Sequence, residues 1–385
     1  MSFRKLDELG RRLEALDHAL SILGADEAIH MAVGGGEARA EAMSGLAGMY
    51  HRQASAPEIG DWIDAAEAED LSDDQRAALR EFRRRYVNLT CLPAEFVERQ
   101  TRTRMRCEQL WRSLRPKNDW ASFQPALEGV VALVREEAAM RAEALKLDPY
   151  DALMEQYDPG NRAADITPVF ARLKAFLKGF VPKALAAQGE RLARQPLKSL
   201  SGNYPVERQR ELGLAMMAAL GFDLNHGSLS VSHHPFCGGV PSDVRITTRY
   251  RTTEFLSALM GTLHETGHAL YEQNLPKEWS HWPLGKARGM AMHESQSLFV
   301  EKQIGRNPAF WRWALPVVER HLGACPGLGH RRIGDDLCWV DEHPVVQRQF
   351  AVSDLLQYPS RGVPLERGTH GEQFVGAVTH RAIRT

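Results

Sequence analysis

With 385 residues, 43% hydrophobic and 25% charged, the chain has the composition of a globular protein with a sizeable core, which excludes a disordered or fibrous class. Its 48 basic and 49 acidic residues leave a formal charge of −1, so no global field draws it to nucleic acid or to an anionic membrane. Five cysteines, Cys91, Cys107, Cys237, Cys325 and Cys338, are odd in number, widely spaced and without a C-x-x-C pair, which argues against a disulfide framework or a thiolate zinc site.

In chain order, the N-terminal segment "MSFRKLDELGRRLEALDHALSILGADEA" reads as a charged amphipathic helix without the apolar core and cleavage site of a secretory leader. No apolar run approaches the ~18 residues that span a bilayer, so the expected location is cytoplasmic, with no membrane partner. From residue 1 to about 230 apolar residues recur at three- and four-residue spacing in long Ala-, Leu-, Glu- and Arg-rich segments, which predicts a mainly α fold. The predicted breaks are "VGGGEA", "EDLSDD", "RPKND", "LDPYD" and "DPGN", and no repeat period or long linker divides the segment. Within it Arg99, Arg102 and Arg106 share a helix face that could track phosphates, but the balanced charge favours a solvated rim or groove edge, and no nucleic-acid partner is expected.

Between residues 228 and 250 the pattern turns to alternation. "SLSVSHHPF" and "DVRITTRY" read as the arms of a hairpin, with "CGGVPS" as its turn. Asp243, Arg245 and Thr247 fall on one face of the second arm, where Arg245 could pair with Asp243 or face a carboxylate ligand. His234 precedes Pro235 and reads equally as a packed histidine or a catalytic one, and Cys237 has no Cys–His arrangement around it and reads as a bystander.

A helix follows, capped by Thr253 and ended by Pro276, with "HETGH" at residues 264–268 in its interior. His264 and His268 are separated by about 40° around such a helix and about 6 Å along it, so both imidazoles can converge on one ion. Glu265 lies beside them as the candidate general base for a metal-activated water. The face through Leu256 and Met260 runs into His264, which sets the imidazoles on an apolar stripe. Glu272 lies about 12 Å from His264 along the axis, too far to be a third ligand. Tyr271 and Asn274 stand where an all-histidine site would need Gly and His. A carboxylate from a later helix remains, and "GMAMHESQSLFVEKQ" supplies Glu294. Two histidines and one glutamate leave a zinc ion an open fourth position, which is a catalytic arrangement.

Four elements, "HPF" at 234–236, "DVRIT" at 243–247, "HETGH" at 264–268 and "HESQS" at 293–297, resemble in kind and order the motifs of the carboxypeptidase Taq family. Weaker similarity extends upstream through "GGGEARAE", "APEIGDWIDAAEAE" and "YDALMEQYDPG", so the resemblance covers roughly residues 1–320. It implies a helical metallopeptidase with a deep groove, a small β-sheet at the active site and a homodimer. It also implies release of single C-terminal residues from peptide substrates with broad preference. Carried over residue by residue, His264, His268 and Glu294 would bind Zn²⁺ or Co²⁺, Glu265 would be the catalytic base, and His234 and Arg245 would line the substrate cleft. Residues 321–385 form a second region without the resemblance. The family's further motifs, an arginine-bearing I-R-x-x-A-D segment and a G-x-x-Q-D-x-H-W segment, are not present there in intact form, and the abrupt loss of pattern reads as a frameshifted, truncated or diverged tail. Arg245, Arg249, Arg331 and Arg332 are the candidate replacements for the carboxylate-holding groups of those motifs. The competing reading is a catalytically impaired protein that keeps the groove and the metal and binds peptide without cleaving it.

Overall fold

The computed structural model describes residues 1–194 and 200–324, so Cys325, Cys338, Arg331, Arg332 and nearly all of the region 321–385 lie outside the described residues. Among the described residues nine α-helices precede the sheet: α1 (Ser2–Ile29), α2 (Gly36–Ala54), α3 (Pro57–Ala66), α4 (Asp73–Thr90), α5 (Ala94–Leu114), α6 (Trp120–Leu145), α7 (Pro149–Met154), α8 (Ala163–Arg194) and α9 (Val206–Ala219). The five breaks read from the sequence separate α1 from α2, α3 from α4, α5 from α6, α6 from α7 and α7 from α8, while those after α2, α4 and α8 were not read; several ends have a local reason. Ser72 caps α4 in a reciprocal box with Gln75, Asn118 takes the left-handed conformation after α5, and Asp148 with Pro149 starts α7. Arg99, Arg102 and Arg106 on α5 pair with Glu136, Glu41 and Glu37, so the basic stripe is neutralised within the protein. No helix among the described residues is long and apolar enough to cross a membrane.

The sheet departs from the predicted hairpin. Its strands are β1 (Gly227–Val231), β2 (Cys237–Val240) and β3 (Asp243–Thr248), in the order β1-β3-β2. The two segments read as hairpin arms, β1 and β3, run parallel, and the segment read as the turn is itself strand β2, antiparallel to β3. The turns are Ser232–Phe236 and the two residues Pro241 and Ser242. Gly239 explains the misreading: it is a strand residue at φ +84, where a Cβ would strike the Asp243 carbonyl, so this glycine serves a close backbone approach within the ladder.

After the sheet come α10 (Leu256–Gln273), α11 (Met290–Leu298), a π-helical turn (Phe299–Ile304) and α12 (Pro308–Leu322). Thr253 does not cap α10; Phe255 holds the cap position, and the Glu254 carboxylate accepts from the Ser257 amide instead. The helix ends at Gln273, ahead of Pro276 as expected. The connection to α11 is fastened to α1: Trp282 Nε1 donates to Asp7 Oδ1 at 2.7 Å, and His281 Nε2 lies 2.7 Å from the same oxygen. This anchor reverses the chain and returns α11 to the side of α10.

α10 is buried over most of its circumference. One flank joins α9, the π turn and α12 in a core of Leu212, Met216, Phe255, Leu259, Leu263, Val300 and Trp311; another meets Leu229, Val244 and Ile246 of the sheet through Ala269. Its buried hydroxyls are satisfied along the helix, Thr262 Oγ1 donating to Ala258 O (2.8 Å) and Thr266 Oγ1 to Thr262 O (2.6 Å). Trp311 is fully buried, and its Nε1 donates to Gly305 O at 2.8 Å. Trp311→Ala should therefore lower unfolding stability by about 3–5 kcal/mol, from the cavity and from the carbonyl left unpaired. A shift in the urea midpoint measures it, and a loss below about 1 kcal/mol would mean the core refills.

Candidate metal centre

The central helix and α11 bring His264, His268 and Glu294 together, with one donor atom from each lying within 4.8 Å of the others. Glu294 Oε2 is 3.4 Å from His268 Nε2 and 3.9 Å from His264 Nε2. A tetrahedral ion with bonds of about 2.1 Å sets its donors about 3.4 Å apart, so the spacing and the donor chemistry fit a divalent cation. The two rings are nearly perpendicular, at 82° with centroids 5.0 Å apart. Gly267 lets α11 approach closely enough, its α-carbon facing the backbone of Gln296 and Ser297.

The other nitrogen of each histidine is also engaged. His264 Nδ1 lies 2.9 Å from Glu301 Oε2. Glu301 reaches it from the π turn, seven residues past Glu294, so the two carboxylates approach opposite edges of one ring. His268 Nδ1 lies 3.2 Å from the His293 carbonyl and 2.7 Å from His293 Nδ1, and His293 Nε2 lies 2.7 Å from Glu272 Oε1. Glu272, too distant to be a ligand, thus touches the centre through a second histidine. The sequence reading missed Glu301, His293 and Glu272 as neighbours of the centre; the available signal was that His293 adjoins Glu294 and that Glu272 follows His268 by one turn.

Burial, hydrogen bonds and neighbouring charges together set the protonation of the cluster. Burial holds His268 down at about 4 despite the hydrogen bond to Glu294, so this imidazole is neutral at pH 7 with a lone pair to offer. Burial also opposes charging of His264, but the hydrogen bond to Glu301 and the charges of Glu265, Glu294 and Glu301 outweigh it and raise its pKa. At Glu301 burial is overcome by His264 and Lys302, which pull the carboxyl down to about 2. Glu265 is pushed up to about 7, first by burial and then by Glu294 and Glu301, with His264 opposing.

Of the remaining predicted site residues, His234 stands beside the cluster: burial lowers its pKa, and the charges of Arg249 and His264 lower it further. Thr247 holds the His234-bearing turn, its Oγ1 accepting from the Phe236 amide at 3.0 Å and lying 2.7 Å from Ser232 Oγ. Arg245 is not brought to the cluster. It forks onto Asp243 with bonds of 2.8 and 2.6 Å, and its next charged neighbour is Asp26 on α1. Cys237 is free, and burial with the nearby Glu265 and Glu272 raises its thiol well above the ordinary value, so it stays an unreactive thiol.

Residues 5–327 match the family model of the carboxypeptidase Taq (M32) metallopeptidases. The chain belongs to that family. It is 38% identical to thermostable carboxypeptidase 1 of Thermus thermophilus over 73% of this chain and 57% of that protein. It is 31% identical to thermostable carboxypeptidase 1 of Pyrococcus furiosus over 81% of this chain and 62% of that protein. The chain therefore spans about three fifths of the length of these relatives. Among solved structures, metallocarboxypeptidase 1 of Trypanosoma cruzi superposes with a TM-score of 0.78 at 35% identity, covering 92% of this chain and 74% of that one. The Pyrococcus furiosus carboxypeptidase superposes with a TM-score of 0.75 at 29% identity, over 87% and 67%. The helical architecture with its small three-stranded sheet is that of the family, as the sequence resemblance implied.

Proposed function

We propose that this chain is built as a metallocarboxypeptidase that releases single C-terminal residues from peptides, with His264, His268 and Glu294 as metal ligands and Glu265 as general base. The observation that carries the reading is the convergence of those three donors beside a buried glutamate, in a chain of this family. A divalent cation held there, zinc or cobalt, supplies Lewis acidity that acidifies a water and polarises the scissile carbonyl. Glu265 takes the water proton as the water oxygen bonds to the carbonyl carbon, and delivers it to the leaving nitrogen as the C–N bond breaks. Arg245 is committed to Asp243, so we assign it to stiffening the β2–β3 turn and not to substrate. Arg249, whose charge reaches His234, is the better placed of the two described arginines to meet a substrate carboxylate. Broad residue preference and a homodimer belong to the same proposal and rest on the resemblance, and a cytoplasmic location belongs to it as the expectation read from the sequence.

The test is release of the C-terminal amino acid from an N-blocked dipeptide by zinc- or cobalt-loaded protein. Multiple turnovers support the proposal. The competing reading is a metal- and peptide-binding protein without turnover. Peptide binding with no product would decide for it.

The ligand set also dictates a pH dependence for metal binding. Nε2 of His264 coordinates only after its proton leaves, and the pKa of that imidazole is raised. Zinc affinity should accordingly fall on acidification through the His264 pKa, by about tenfold per pH unit below it. Chelator competition between pH 5.5 and 8 measures the slope, and a flat profile removes His264 from the ligand set.

A further inference from the structure

We infer that Glu272 and His293 form a positioning relay that fixes which nitrogen His268 turns toward the cation, an inference that rests on the metal centre proposed above. Glu301 reaches His264 Nδ1 directly, whereas Glu272 sits one turn beyond His268 on the same helix and touches its ring only through His293. The proton count settles the direction. A carboxylate can only accept, so Glu272 takes His293 Nε2–H, and a single ring proton placed there leaves Nδ1 as a lone pair. Across 2.7 Å that lone pair can take only an N–H, so His268 carries its proton on Nδ1 and leaves Nε2 bare, facing Glu294. The opposite arrangement would put a proton on His268 Nε2 and close the site to a cation. His293 is held for this task, its ring lying 4.6 Å from that of His268 at 34° and meeting Tyr271 edge-on at 5.2 Å. The competing acceptor for His268 Nδ1–H is the main-chain carbonyl of His293, longer at 3.2 Å.

Three variants separate the side chain from that carbonyl. His293→Phe keeps the ring volume and removes the acceptor, and should weaken zinc binding by about tenfold, the lower end of the effect of losing a ligand's hydrogen-bond partner. His293→Asn returns an oxygen near the position of Nδ1 and should restore most of the affinity. Glu272→Ala frees His293 to carry its proton on Nδ1 and should weaken binding in the same direction. Zinc dissociation constants come from competition with a chelator, on proteins whose circular dichroism matches the parent. In parallel, ¹⁵N spectra of histidine-labelled, metal-free protein report the tautomer: the parent should show His268 with a bare Nε2, and His293→Phe a mixture.

Unchanged affinity and tautomer in His293→Phe would mean that the carbonyl alone orients His268, and the relay would be wrong. Equal losses in the Phe and Asn variants would overturn it as well, since an acceptor at that position would then be irrelevant. A loss in His293→Phe with none in Glu272→Ala would remove Glu272 from the relay. Failure of the parent protein to bind zinc at all would instead sink the metal centre, and this inference with it.

Discussion

Glu265→Gln should bind zinc as the parent does and lose about 10²–10⁴ in kcat, the range for removing a general base. The amide has nearly the shape of the carboxylate, so the burial of residue 265 and the packing of α10 survive, but it cannot take a proton from water. Zinc stoichiometry together with single-turnover peptide hydrolysis checks the pair of expectations. Retained metal with near-parental turnover would take Glu265 out of the mechanism; lost metal would show that the residue supports the site structurally. The protonation of this carboxyl adds a signed test. In the metal-free protein it is pushed up to about 7, by burial and by Glu294 and Glu301, so about half would be protonated at neutral pH and unable to act. A cation held by the neighbouring ligands favours the ionised form and must lower that value. Carbon-13 spectra of labelled glutamate should show Glu265 titrating near 7 without metal and at lower pH with zinc bound. A titration unmoved by zinc would place the ion elsewhere.

The legible parts of this protein were those written in local sequence. The helices of the first 220 residues declare themselves by spacing and capping, as in the Ser72–Gln75 box of α4. Two histidines four apart fix their own geometry on any helix, so His264 and His268 could be placed without a tertiary structure. Glu294, the third member of the cluster, was reachable by elimination, because the helix itself offers no further donor in reach of both histidines. The failures share one cause. Whether β1 pairs beside β3 or across a turn from it is decided by packing on α1 and α10, and the glycines of β2 look like a turn unless one knows that Gly239 must clear the Asp243 carbonyl. Thr253 has the right chemistry for a cap but lies three residues before the first helical residue, Leu256. Glu301, His293 and Glu272 meet the cluster through contacts that exist only once α11 and the π turn are laid against α10; adjacency to Glu294 and one-turn spacing from His268 mark two of them as close in sequence but do not show what they touch.

Gly267→Ala sets local and tertiary physics against each other. Within an isolated helix, alanine in place of glycine is worth about 1 kcal/mol in favour of folding. Here a Cβ at position 267 would lie 2.5 Å from Gln296 O, 2.6 Å from Ser297 Cα and 2.9 Å from Gln296 C. All three are backbone atoms of α11, so no side-chain rotation relieves the clash and the helix itself must move, by about 1 Å to reach ordinary contact. Overpacking of this kind costs about 1–3 kcal/mol, enough to cancel the helical gain and leave the variant less stable. The displaced segment also carries Glu294, whose carbonyl accepts from the buried Ser297 hydroxyl at 2.7 Å, so ligand and contact move together. Metal bonds tolerate about 0.2 Å. Gly267→Ala should therefore lose at least tenfold in zinc affinity along with a lowered urea midpoint, although residue 267 offers no donor atom of its own. A variant more stable than the parent with undiminished zinc affinity would show that α11 yields freely, and that the approach of the two helices does not set the position of Glu294.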